Sequence, residues 1–155
     1  MKKQLLATLV LSVVATTSFA SNDLGHSNVN TADDSLSIGT RNTVQSSATS
    51  SFSAGTMNTA TGANSIVFGE SNKAVGTNSF AGGNDSVAKG RNSFAYGSHA
   101  VASVEYTVAI GSQAMANAYD TIAIGNGAYA NGESTVVIGR TNTVKAENST
   151  VIGSN

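Results

Sequence analysis

Large apolar residues along this chain fall in short alternating groups, each closed by a glycine, and the groups return every 14 residues. The glycines are Gly55, Gly69, Gly83, Gly97, Gly111, Gly125, Gly139 and Gly153, with Gly39 lying 16 residues before the first. The two extra residues are expected in the serine-rich stretch 46–51 (SSATSS), as a wider loop. The groups read SLSIG (35–39), SIVFG (65–69), SFAYG (93–97), TVAIG (107–111), TIAIG (121–125) and TVVIG (135–139). With the Ser or Thr as position 1, positions 2 and 4 are mostly large and apolar, and position 3 is Ala, Ser or Val. That is a period-two strand with one bulky face and one slim face.

The second half of the repeat predicts another short strand. Position 10 is Val44, Ala60, Ala74, Ala88, Ala102, Ala116, Ala130 and Val144 in successive repeats. Position 12 is often glycine (Gly62, Gly76, Gly90, Gly132) and position 14 often asparagine (Asn64, Asn78, Asn92, Asn148). Both residue types tolerate positive φ. Two turns per repeat follow, one at the glycine of position 5 and one near positions 12 to 14. Two strands and two turns in 14 residues make one coil of a flattened all-β solenoid. About nine coils stacked at about 4.8 Å give a rod roughly 40 Å long.

Which face points inward decides the assembly. If the slim face does, positions 2 and 4 form a long apolar strip in water, which monomers rarely carry. If the bulky face does, a monomer satisfies the pattern. The oligomer is the expectation taken forward, with the strip as its interface.

The segment from Asn64 to Gly139 resembles the head repeats of YadA-like trimeric autotransporter adhesins, whose motif reads roughly Asn-Ser-Val-Ala-Ile-Gly. The best local matches are NSIVFG (64–69), NSFAYG (92–97), DTIAIG (120–125) and STVVIG (134–139). The resemblance covers about residues 35–155. It implies a left-handed parallel β-roll, three chains per head, and attachment to host extracellular matrix or cell-surface receptors. It assigns no binding residues. Family members also carry a coiled-coil stalk and an outer-membrane anchor. This chain shows neither sustained apolar heptads nor a set of alternating membrane strands. The last repeat stops midway, which leaves an open sheet edge. A truncated structural fragment without independent function is therefore the alternative to an adhesin head.

Export is read from residues 1–20. Lys2 and Lys3 precede an apolar run from Leu5 to Ala15, and Ser18, Phe19 and Ala20 offer a cleavage site. The run falls short of the about 20 apolar residues that span a membrane. The mature chain is expected to hold a polar segment at 21–34 and head repeats at 35–155. Its expected place is the cell surface or outer membrane within a complete adhesin, and otherwise secreted or periplasmic.

Composition narrows the function classes. Charged residues are 11%, against about 25% in ordinary domains. Beyond residue 20, six basic residues face nine acidic ones, a formal charge of −3. Duplex nucleic acid demands concentrated Lys and Arg, so it is not an expected partner. The chain has no cysteine, which excludes disulfides and thiolate metal sites.

No catalytic residue, metal site or cofactor is expected. The only histidines are His26, in the polar entry segment, and His99, in a turn. A Ser-His-Asp arrangement needs a positioned base and an orienting acid. Asp33 and Asp34 form the only adjacent acidic pair and read as a polar entry. The run Gly82, Gly83, Asn84, Asp85 is weakly similar to calcium-binding solenoid repeats, but the period is not nine residues. Gly125 and Gly127 match part of a dinucleotide loop without a following helix. A hexapeptide acyltransferase does not fit a period of 14, and an ice-binding array needs paired threonines where these repeats carry one. Ligand contact is expected on the outer strand at position 9, at Val101, Met115 and Tyr129. The glycine column Gly39 to Gly153 is expected to be structural.

Overall fold

The computed structural model describes residues 22–154. The leader expected over residues 1–20 lies outside them. No helix occurs among the described residues. The chain forms two parallel sheets. One has ten strands, from Asn22–His26 to Thr150–Ile152. The other has nine strands of two residues each, from Val29–Asn30 to Thr143–Val144. Successive strands alternate between the wide and the narrow sheet, so each coil adds one strand to both. The result is an all-β parallel solenoid of about nine turns.

The register follows the sequence period. Phe52, Ile66, Phe80, Phe94, Val108, Ile122 and Val136 pair in one column. Leu36 pairs with Phe52 and Thr43 with Thr59, while Val29 pairs with Thr43. The two extra residues therefore lie between Val44 and Phe52, where the serine-rich stretch was read as a loop. Ala48 is buried there and its amide donates to the Gln45 carbonyl at 2.8 Å.

The segment 21–34, read as a polar entry, carries a further coil. Asn22–His26 pairs with Leu36–Thr40, and Val29–Asn30 with Thr43–Val44. Gly25 stands 14 residues before Gly39 and joins its column. Positions 2 and 3 of this coil are Asn22 and Asp23, so Leu24 at position 4 is all that is left of the apolar signature. Parallel pairing uses the backbone and does not require it.

The slim faces point inward. Positions 3 and 10 supply the core, with Ala81, Ala95, Ala109 and Ala123 on one side and Ala74, Ala88, Ala102 and Ala116 on the other, all fully buried. From Ser37 to Val151 the residues at positions 3 and 10 are Ala, Ser or Val without exception.

Position 1 closes one turn. The hydroxyls of Ser93, Thr107 and Thr135 donate to the carbonyls of Gly90, Val104 and Gly132 at 2.6, 2.6 and 2.7 Å. Position 8 closes the other. Buried Asn58 donates through Nδ2 to the Ala54 and Gly69 carbonyls at 3.0 and 2.8 Å, and its Oδ1 accepts from the Asn72 amide at 3.0 Å. Asn28, Asn42, Asn58 and Asn72 are linked in this way from coil to coil. With Ala114 and Ala128 at position 8, the amide instead turns back on Gly111 and Gly125 at 3.3 Å. The wide strands there shorten to Val108–Ile110 and Ile122–Ile124.

The first turn is displaced from its expected place. In several coils the glycine of position 5 lies inside the strand, as in Leu36–Thr40 and Phe52–Thr56. The left-handed residue is at position 7: Arg41, Met57, Asp85 and His99 have φ of 56, 56, 53 and 58°. No residue type marks that position, so the sequence does not announce it. The second turn does fall near position 14, with Asn64, Asn78 and Asn92 at φ of 54–55°. Glycine at position 5 answers a double demand. Gly69 has φ of 108°, and a Cβ on it would overlap the Gly83 carbonyl oxygen of the next coil.

Two substitutions should move stability in opposite directions. The buried Ser53 hydroxyl at position 3 has no partner, so Ser53→Ala should stabilise by about 1 kcal/mol. Asn58→Ala removes the side-chain bonds to two carbonyls and an amide and should cost about 3 kcal/mol. Urea unfolding midpoints check both.

Candidate interaction surfaces

The bulky residues of positions 2 and 4 stand on the outer face of the wide sheet, which settles the choice between the two faces. Ile66 is 44% exposed, Phe68 38% and Tyr96 43%. The strip is continuous through the parallel pairing of coil upon coil. Its middle is aromatic: Phe80 and Phe94 stack at 4.4 Å between centroids, and Phe68 meets Phe80 edge-on at 5.5 Å. Gly82 occupies position 4 beneath these rings. A Cβ there would lie 3.0 Å from both the Phe68 and Tyr96 rings. Toward the C-terminal end the strip turns aliphatic, with Val108, Ile110, Ile122 and Ile124 in paired register.

The narrow sheet offers a second outer face. Val101 pairs with Met115 and Met115 with Tyr129, so the three residues expected to contact ligand form one column. Their neighbours Ala102, Ala116 and Ala130 are fully buried, and the three themselves are half-buried and face outward. Lys73, Val87 and Thr143 extend the column.

A third surface runs along the turn edge beside that column. An open groove of about 680 Å³ crosses five coils between positions 11 and 13. One wall is Lys89, Ser103, Asn117, Asn131 and Lys145. The other is Arg91, Glu105, Tyr119, Glu133 and Glu147, with Gly90, Val104, Ala118 and Gly132 between them. The Ser103 hydroxyl donates to Asn117 Oδ1 at 2.6 Å, a bond that uses the Asn117 oxygen and not its amide hydrogens. The Arg91 guanidinium pairs with Glu105 at 3.2 Å and lies 5.7 Å from the Tyr106 ring centroid. Tyr106 in turn meets Tyr119 edge-on at 5.4 Å. The hydrogen bond and charge of Glu105 hold Arg91 above its ordinary pKa. Partial desolvation, followed by the neighbouring Tyr106, raises that of Tyr119, so its hydroxyl remains a donor. Sequence reading missed this groove. Tabulating positions 11 and 13 of the repeat would have placed its polar residues in two columns.

The remaining chemistry-bearing residues do not converge on a pocket. His99 is 63% exposed, in a turn. Its Nδ1 lies 2.9 Å from Ser98 Oγ. Asp85 is 3.8 Å from Nε2, beyond hydrogen-bonding reach. His26, Asp33 and Asp34 are exposed on the first coils. No cluster of three or more potential metal ligands occurs among the described residues, and they include no helix long and apolar enough to cross a membrane.

A model of the YadA head domain repeat, two coils long, matches residues 46–72, 60–86, 74–100, 88–114, 102–128 and 130–155. Successive matches advance by one coil through most of that span, in the register of the strand pairing. A search of curated proteins found no significant match.

Proposed function

Since the chain belongs to the YadA head domain repeat family, we propose that it forms the head of a surface adhesin in which three copies pack through their apolar strips. The uncovered column of positions 2 and 4 carries this reading. Water in contact with so long a row of Ile, Val and Phe is costly, and a second and third copy of the same strip would remove it. A cyclic assembly suits a surface that repeats along one axis only. In the trimer the narrow sheets face outward, and their column Val101, Met115 and Tyr129 contacts host matrix or a cell-surface receptor. Residues 1–20 direct export, which places the head outside the cell, and the winding is left-handed as in the family. No step of this function calls for a catalytic residue or a cofactor.

Sedimentation of the exported chain should give the mass of a trimer, and a stably folded monomer would refute the assembly. Ile110→Lys with Ile124→Lys should dissociate it, because six buried charges would meet at the axis.

Replacing Val101, Met115 and Tyr129 together by serine should weaken attachment to matrix-coated surfaces at least tenfold while the melting temperature and mass stay unchanged. Unaltered attachment would remove the outer column from the binding site.

A further inference from the structure

We infer that the groove between positions 11 and 13 binds a linear, neutral, hydroxyl-rich oligosaccharide lying parallel to the rod axis. This rests on the adhesin reading and names a ligand class for it. The groove is long and open, as a chain-like ligand requires, and its 680 Å³ falls within the range of ligand sites. Its polar side chains recur once per coil at about 4.8 Å. The sugars of an extended β-linked glycan advance by a similar distance, so successive units keep step with the coils, and alternate units turn the same edge to each wall. A peptide strand advances about 3.3 Å per residue and drifts out of step with the coils.

The lining chemistry suits hydroxyl groups. Asn117 and Asn131 present amides in register on one wall, and the described structure gives Asn131 no partner side chain. An amide both donates and accepts, which matches a hydroxyl in either role. Tyr119 faces them across the groove, 48% exposed, with an apolar ring for the C–H face of a sugar and a protonated hydroxyl at its edge. Charge sets the ligand's sign. The three basic and three acidic side chains of the lining cancel, and Arg91 is already paired with Glu105. A polyanion such as a heavily sulfated chain would meet as much repulsion as attraction.

The test titrates the exported, assembled chain with cellohexaose and with chitohexaose, observing the side-chain amide resonances of Asn117 and Asn131. Saturable shifts of both with at least one hexasaccharide are expected. Tyr119→Ala should weaken that binding at least tenfold, and Glu70→Gln, at an exposed residue outside the groove, should leave it unchanged. Absence of shifts with either sugar would overturn the proposal. So would equal binding by Tyr119→Ala, or shifts produced by a polyproline peptide and by neither sugar. Attachment of the unaltered protein to cells is scored separately. Loss of sugar binding with intact attachment strikes only the groove, whereas absent attachment strikes the adhesin reading itself.

Discussion

The strands of each coil direct their backbone hydrogen bonds to the coil before and the coil after. Neither strand of a coil meets a partner within its own turn of the chain. The ladder therefore runs the length of the rod, and every coil must present its amides and carbonyls at the same height as its neighbours. That demand keeps the strand columns in register, in the 14-residue coils and in the one coil of 16. It also brings backbones close enough that the Gly69 position admits no side-chain carbon against Gly83. The stacking amounts to a one-dimensional crystal, in which each layer is stable because it is repeated.

Inside the roll, this repetition leaves little choice. Positions 3 and 10 hold residues no larger than valine, and Thr135 at position 1 and Asn58 at position 8 bind turn carbonyls. Position 8 is filled in more than one way. Asparagine stitches neighbouring coils from Asn28 to Asn72, and alanine at Ala114 and Ala128 closes a tighter local turn. Outside, the columns are free to differ. One set became apolar, another mixed, and a third charged and hydrogen-bonding. The chain thus separates scaffold from relief: inward positions answer to stacking and outward ones to whatever approaches.

Periodicity is what made the fold legible. A residue that recurs every 14 positions reports a shared backbone environment, and so the wide strand, the slim core and the wider loop could all be read. The column of Val101, Met115 and Tyr129 was visible for the same reason, because burying position 10 turns position 9 outward. The coil around Gly25 escaped because Asn22 and Asp23 stand where apolar residues were sought. The left-handed turn residue escaped because Arg41, Met57 and His99 share no side-chain feature; the conformation there is imposed by neighbouring coils. The groove was hidden for a third reason. Lys89, Ser103 and Asn117 differ in type, and their kinship is positional only, so it emerges once the coils are stacked.

The loop between Val44 and Phe52 has a wider bearing. It holds two more residues than its counterparts, yet the pairings on either side proceed without a break. Ser47 even ties it to the coil above, donating to the Thr61 carbonyl at 2.7 Å. The groove lies along this same edge of the rod. Length and register are therefore uncoupled on the side that bears the polar relief. Such an edge is open to elaboration: a few residues gained or lost there would redraw the contour offered to another molecule, while the stack beneath kept its spacing.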